Sequence, residues 1–223
     1  MDHSARKSCG RHCIEWTHLT KPILNGPILT LQNVTLPRGP VADLSVEFHP
    51  GTHLVVGPNG VGKTSLLNSI AGTLKPKSGA ILMNGQSIAA GSTDVLLSPN
   101  APPPIPWIRA GLLLEFIASL YPATRKDSQY QKQVVEQLGI AEFLNTNMGA
   151  LSAGTAKKML LAAAFVAAPP IMLFDEPTNE IDAKSVSVIM SLMTEASTDK
   201  ILVITTHQPS TFTSLTPTIL RLG

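Results

Sequence analysis

A glycine-rich segment constrains this sequence more than any other feature. Residues 57–64 read GPNGVGKT, which fits the pattern G-x-x-x-x-G-K-[ST]. The short apolar run at 53–56 predicts a strand before it, and apolar residues at helical spacing over 63–73 predict a helix after it. Glycines in such a turn let successive backbone N–H groups face phosphate oxygens, and the positive end of the helix adds to the attraction. The segment therefore predicts a phosphate-binding loop and not merely a glycine-rich turn.

The side chains of this loop predict a bound nucleotide, ATP, with Mg²⁺. We expect Lys63 to reach the β and γ phosphates and Thr64 to be a ligand of Mg²⁺. The predicted nucleotide contacts are Gly57, Pro58, Asn59, Gly60, Val61, Gly62, Lys63, Thr64 and Ser65.

An apolar strand ending in two acidic residues supplies the second half of the predicted chemistry. The run 171–174 is followed directly by Asp175 and Glu176. A rigid strand can deliver one carboxylate to the metal and another to the attacking water, so we predict Asp175 as a metal ligand and Glu176 as the general base. The alternative is that the two acids only cap a helix after Pro177; the phosphate loop upstream disfavours it.

The remaining pattern predicts an α/β fold, a P-loop NTPase core with an antiparallel β subdomain and an inserted all-helical subdomain. Strands at 28–34 and 42–48, separated by a Pro-Arg-Gly-Pro turn, predict an antiparallel pair. Helical patterns at 110–120 and 128–138 place the insertion at about 107–168. Downstream, two apolar runs separated by a helical segment predict a parallel crossover.

Composition limits the function classes. Only 14% of residues are charged and the mean hydropathy is +0.18, which suggests a surface that docks on a partner. The net charge of +2 comes from scattered residues without a basic stripe, so we expect no nucleic-acid partner. The longest apolar run, 159–174, is shorter than the ~20 residues that a spanning helix needs.

The first 27 residues form a basic leader that we expect to be disordered, with residues 28–223 as one ATPase domain. Cys9 and Cys13 lie in this leader close to three histidines, which would allow a metal or redox site. Their spacing does not match the usual zinc pattern, so reduced thiols without a function are the preferred interpretation.

Three further motifs follow in an order that resembles the ABC ATPase family. The segment LSAGT at 151–155, 21 residues before Asp175, is similar to the family's signature motif. NEID at 179–182 stands where its D-loop belongs, and TTHQ at 205–208 where its switch histidine belongs. The resemblance covers about residues 28–223.

The resemblance implies roles and partners. Ser152 and Gly154 would bind a phosphate held by the opposite subunit of an ATP-sandwiched homodimer, and His207 would sense the γ-phosphate as a third catalytic residue beside Glu176 and Lys63. A separate transmembrane permease subunit would be the membrane partner, which would place the chain on the cytoplasmic face of a membrane. A soluble ABC ATPase without transport, or a regulatory subunit with poor turnover, are the alternatives.

Within the family, the LSAG and TTHQ motifs and the short length are most like the ATPase of the cytochrome c maturation heme exporter. Two departures stand out. Residues 30–47 contain no aromatic side chain to stack on adenine, for which Arg38 could substitute. The glutamine expected before the helical insertion is missing, with Asn100 or Ser98 as the stand-in; just beyond, we expect Ile105, Trp107 and Ile108 to meet the membrane partner.

Overall fold

The computed structural model describes residues 26–223, and these build two β-sheets with helices packed around them. Of the expected leader, only residues 26 and 27 are described. The prediction that the leader is disordered, and the cysteines Cys9 and Cys13, therefore fall outside the described residues. Among residues 26–223, no helix is long and apolar enough to cross a membrane.

A parallel sheet of five strands forms the centre, in the order β6-β7-β8-β3-β9. Most positions of its strands are apolar because both faces are covered, as parallel sheets require. Consecutive side chains of one strand enter different cores: Leu173 packs on one side and Phe174 on the other. The strands are β3 (Gly51–Val56), β6 (Val95–Ser98), β7 (Ile171–Asp175), β8 (Ile201–Thr205) and β9 (Thr218–Arg221).

A smaller antiparallel sheet in the order β2-β1-β4-β5 covers one side of the phosphate-loop region. Asn84 and Gly85, both with positive φ, form the turn between its last two strands, where such backbone angles suit a hairpin. The strands are β1 (Leu29–Thr35), β2 (Leu44–Phe48), β4 (Ser78–Met83) and β5 (Gln86–Ser87).

Within residues 26–223, five α-helices complete the fold, and three of them lie between β6 and β7. The helix after the phosphate loop begins behind Gly62, whose φ of 112° suits a residue without Cβ. The last three α-helices of the chain are capped by side chains that accept a backbone N–H, namely those of Asp127, Ser152 and Asp182. The helices are α1 (Lys63–Ile70), α2 (Ala110–Ser119), α3 (Ser128–Gln137), α4 (Ala153–Ala167) and α5 (Ala183–Ala196).

This architecture confirms the predicted α/β class with its parallel core, antiparallel sheet and helices. The predicted crossover is present, since β7 and β8 are adjacent and parallel with α5 between them. Strand β9 was not predicted. Its four residues carry no periodic signal, and only pairing with β3 makes them a strand.

A histidine is buried in β3 without a charged partner. The Nε2 atom of His53 lies 2.7 Å from the carbonyl oxygen of His49, and its ring meets Phe48 edge to face at 5.0 Å. The Nδ1 atom is buried and has no hydrogen-bond partner. Burial lowers the pKa of His53 to about 4; the bond to the His49 carbonyl opposes this only partly.

This burial predicts an acid-sensitive fold. The unfolded chain takes up a proton near pH 6.5 and the folded chain only near pH 4, so stability is complete above pH 6.5 and declines as pH falls towards 4. Between pH 7.5 and 5.0, His53 should contribute a loss of about 2 kcal/mol in the free energy of unfolding. Denaturant titrations of wild type and His53→Leu should show a smaller loss in the variant. His49→Gln removes only the smallest contribution to the shift, the electrostatic effect of the His49 side chain, and should keep most of the wild-type loss. An equal loss in wild type and His53→Leu would contradict the assignment.

Candidate functional site

The phosphate loop joins the end of β3 to α1, at the carboxyl edge of the parallel sheet where ligands of α/β proteins bind. The ammonium of Lys63 donates hydrogen bonds to the carbonyl oxygens of Gly57 at 2.8 Å and Pro58 at 3.2 Å. Lys63 is buried, so its charge is held inside the loop. A cation fixed in a glycine-rich loop at the start of a helix is suited to an anion such as a phosphate chain.

Two threonine hydroxyls hold the first acidic residue. Thr64 donates to the two carboxylate oxygens of Asp175 at 3.0 and 3.3 Å, and Thr205 donates to Oδ1 of Asp175 at 2.5 Å. The three residues come from α1, β7 and β8, so the cluster ties the phosphate-loop helix to two adjacent strands. The carboxylate is buried and oriented by these bonds.

The second acidic residue, Glu176, has an unusual backbone. Its φ is 49°, in the left-handed region that a residue before proline rarely adopts. Its N–H is bonded to both the carbonyl and the hydroxyl of Thr205, at 3.2 and 3.1 Å. This places the buried carboxylate beside His207, whose backbone N–H donates to Oε2 at 3.2 Å.

One oxygen of Glu176 has no hydrogen bond. Oε1 is buried and unbonded, although Nε2 of His207 is 3.2 Å away, because the ring nitrogen is not aligned to donate to it. The side chain of His207 is half exposed, while that of Glu176 is not. A carboxylate with one free, buried oxygen can accept a proton from a molecule entering this position.

The cleft around these groups, of about 350 Å³, brings together residues that are distant in sequence. Besides the predicted residues Lys63, Asp175, Glu176 and His207, it includes Arg38 and Asn100, the two proposed substitutes. Its lining is Arg38, Asn59, Gly60, Gly62, Lys63, Thr64, Ser65, Asn100, Asp175, Glu176 and His207. Gly57, Pro58 and Val61 belong to the same loop but are not among these lining residues.

Ser152 and Gly154 are not part of this cleft. The Ser152 hydroxyl accepts the backbone N–H of Thr155 at 3.1 Å and so caps α4. A Cβ on Gly154 would lie 2.4 Å from the carbonyl oxygen of Glu180, so only glycine allows this close contact with the 179–182 segment. The predicted second phosphate site therefore lies on a different part of the surface from the first.

The donor set fits a magnesium ion. Thr64 and Asp175 offer adjacent hydroxyl and carboxylate oxygens, which are hard ligands of the kind that Mg²⁺ prefers. Residues 26–223 contain no cluster of three or more His, Cys, Asp or Glu side chains that could hold a metal alone. A Mg²⁺ ion at Thr64 and Asp175 would be completed by phosphate oxygens and water.

No role was assigned from the sequence to two residues that hold the site, Thr205 and Lys157. Thr205 is the first residue of the TTHQ motif, but by itself it reads as an ordinary strand residue. Lys157 looks like a polar position on α4, but it is buried and its ammonium reaches the carbonyl of Glu176. No local pattern could have marked either residue, because their partners are 29 and 19 positions away in sequence.

Comparisons with known proteins agree with this geometry. The sequence model described as "ABC transporter" matches residues 41–179. ABC transporter A family member 4 of Dictyostelium discoideum is 30% identical over 175 residues, covering 75% of this chain but 11% of that protein. The cytochrome c biogenesis ATP-binding export protein CcmA of Pseudomonas syringae is 29% identical, covering 74% of this chain and 80% of that protein. The chain thus spans about a tenth of the first relative and most of the second.

Solved structures show the same fold. A dimeric ATP-binding cassette in a post-hydrolysis state, bound to ADP and Pi, superposes with a TM-score of 0.72. The superposition covers 87% of this chain and 94% of that one at 23% identity.

The Thr205 hydroxyl predicts a measurable loss of stability. Thr205→Val keeps the shape but leaves the buried Asp175 carboxylate and the Glu176 N–H without this partner, so the free energy of unfolding should fall by about 1–3 kcal/mol. Denaturant titration at pH 7.5 measures it. Thr205→Ser, which restores a hydroxyl, should regain most of the loss, and Thr213→Val, at an exposed hydroxyl, should cost less than about 0.5 kcal/mol. Equal stability of Thr205→Val and wild type would refute the role of the hydroxyl.

Proposed function

Since this chain belongs to the ABC transporter ATP-binding family, we propose that it is the ATP-hydrolysing subunit of a transporter whose membrane-spanning part is a separate polypeptide. The observation that carries the proposal is the convergence of Lys63, Asp175 and Glu176 on one cleft. It combines a phosphate-binding cation, a carboxylate for the metal and a carboxylate for the attacking water, which are the parts that phosphoryl transfer needs.

Each residue has a distinct part in this chemistry. Backbone N–H groups of the loop and the Lys63 ammonium bind the β and γ phosphates. Thr64 and Asp175 would hold Mg²⁺, which supplies charge neutralisation at the phosphates when bound. Glu176 accepts the proton of the attacking water through its unbonded oxygen, and His207 lies beside it at the exposed edge of the cleft.

The position of Ser152 and Gly154 supports a homodimer. They begin α4, whose N-terminus carries unsatisfied backbone N–H groups suited to a phosphate, yet they do not line this protomer's cleft. A second copy that places its own nucleotide against this surface would use both sites. The ATPase domain in this proposal is 28–223, with 107–168 as its helical insertion.

One relative supports the exporter subunit in this proposal. The chain covers 80% of the Pseudomonas cytochrome c biogenesis export protein, so most of that protein's length is a domain like this one. Together with the LSAG and TTHQ motifs, this supports heme-related export as the cargo class and attachment to the cytoplasmic membrane face through a partner. The presence of Glu176 and His207 disfavours a regulatory subunit with poor turnover. The other alternative, a soluble ABC ATPase without transport, is tested by the docking experiment below.

Exposed apolar side chains support a partner on the helical insertion. Trp107 is 70% exposed, and Leu112, Phe116 and Leu120 follow at a spacing of four residues, which is one stripe along α2. Such a surface is unusual for a free protein and typical of an interface. The expected contacts Ile105 and Ile108 are different: both are half buried against the core, so the docking proposal keeps Trp107 and adds the α2 stripe.

Replacement of the general base tests the enzymatic proposal. Glu176→Gln keeps the shape but removes the proton acceptor, so we expect ATP binding within about threefold of wild type and hydrolysis reduced by a factor of about 10² or more. Phosphate release and nucleotide binding measure the two quantities. In the same variant, ATP held unhydrolysed should drive dimerisation, detectable by light scattering. Near-normal turnover would exclude Glu176 as the base, and a purely monomeric ATP-bound protein would exclude the sandwich.

Truncation of the exposed tryptophan tests docking. Trp107→Ala should leave thermal stability and basal ATP binding unchanged, because the side chain packs against little of the protein. Removal of the Trp107 indole should weaken binding to membranes that carry the permease partner by about 2 kcal/mol, a common value for an interface tryptophan. Co-sedimentation measures this, with Lys132→Ala on exposed α3 as the control. Unchanged co-sedimentation of Trp107→Ala would overturn the docking assignment and favour the soluble alternative.

A further inference from the structure

A buried lysine contacts the backbone carbonyl of Glu176, the proposed general base. Lys157 lies in the middle of α4 and is 2% exposed. Its ammonium donates to the carbonyl oxygen of Glu176 at 2.5 Å and to Oδ1 of Asn100 at 2.8 Å. It does not contact the Glu176 carboxylate, and none of the roles described above uses it.

Burial of this cation requires compensation. Removal from water lowers the pKa of Lys157, and the carboxylates of Glu180, Asp175 and Glu176 act in the opposite direction. A lysine placed here only to fill space would be less favourable than an apolar side chain of the same volume, since a charge removed from water destabilises the folded state. The two directed hydrogen bonds are therefore the feature that needs an explanation.

The carbonyl that it binds belongs to a strained peptide. Glu176 has φ of 49° and precedes Pro177, a combination that steric repulsion disfavours. Thr205 fixes the N–H side of this residue, and Lys157 fixes the C=O side. With both ends of the residue held, the direction in which the carboxylate leaves the backbone is determined.

We propose that Lys157 is a positioning residue that holds the Glu176 backbone in its left-handed conformation and connects it to Asn100. This inference rests on the proposed hydrolysis. Asn100 begins the loop that leads through Trp107 to α2, so one ammonium joins the docking segment to the general base. A displacement of that loop by a partner would move the hydrogen-bond acceptor of Lys157 and with it the peptide of Glu176.

The decisive variant is Lys157→Met, which has a similar length but neither charge nor donor. We expect kcat for ATP to fall by about 10- to 100-fold, because a misplaced base loses its alignment with the attacking water. The Kd for ATP should change by less than about threefold, since Lys157 does not line the cleft. Lys157→Arg, which keeps charge and donors, should retain more of kcat than Lys157→Met. Lys132→Met, at an exposed lysine, is the matched control and should behave as wild type.

A double variant separates positioning from general destabilisation. If Lys157 acts through Glu176, adding Lys157→Met to Glu176→Gln should lower the residual hydrolysis by less than about twofold, because the base is already absent. A purely structural effect would instead multiply the two losses. Should Lys157→Met fail to fold, Lys157→Gln, neutral, polar and too short to span both acceptors, takes its place with the same expected kcat loss.

The outcomes distinguish this inference from the proposed function. Absence of Mg²⁺-dependent ATP hydrolysis in the wild type overturns both. Hydrolysis in the wild type and its loss in Glu176→Gln, with an unchanged kcat in Lys157→Met, overturns only the positioning role. The positioning role alone is also overturned if the two losses of hydrolysis multiply in the double variant, or if the Kd for ATP of Lys157→Met rises in parallel with the fall in its kcat.

Discussion

The hydroxyl of Thr205 is the interaction on which the site depends, because it joins the two acidic residues to one strand. It donates to Asp175 and accepts the N–H of Glu176, so the last residue of β8 sets the positions of two carboxylates that leave the end of β7. The parallel pairing of these strands makes this possible, since Asp175 and Thr205 are register partners. A shift by one residue would turn Thr205 to the opposite face and remove both bonds.

Features with local causes could be predicted from the sequence. The phosphate loop, the acidic strand end and the helix between the last two apolar runs each follow from residues that are adjacent in the chain, and the structure has this helix as α5. Contacts between distant segments could not be predicted. Lys157 reads as a surface lysine until α4 is packed against the sheet, and Ile105 reads as exposed until it meets the core. Prediction from the sequence fails where the burial of a residue is decided by packing against a segment that is distant in the chain.

The proposed second phosphate site, at Ser152 and Gly154, also depends on a local fit. Gly154 approaches the carbonyl of Glu180 so closely that no Cβ is tolerated, and Glu180 itself has φ of 62°. The start of α4 and the segment after Glu176 are thus packed as one surface. In the proposed homodimer, a phosphate arriving at Ser152 would press on the same helix that carries Lys157, which gives the two nucleotides of a dimer a physical connection.

The charges around the cleft show why the lysine binds a backbone carbonyl and not the carboxylate. Lys63, Lys157, Asp175 and Glu176 are all buried, and each needs a partner or its charge is costly. An ammonium bonded to the Glu176 carboxylate would occupy the oxygen that accepts a proton in the proposed hydrolysis. Bonded to the carbonyl, it still compensates the nearby negative charge while Oε1 stays unbonded. Lys157 can therefore fix the direction of the base without reducing its capacity to take a proton.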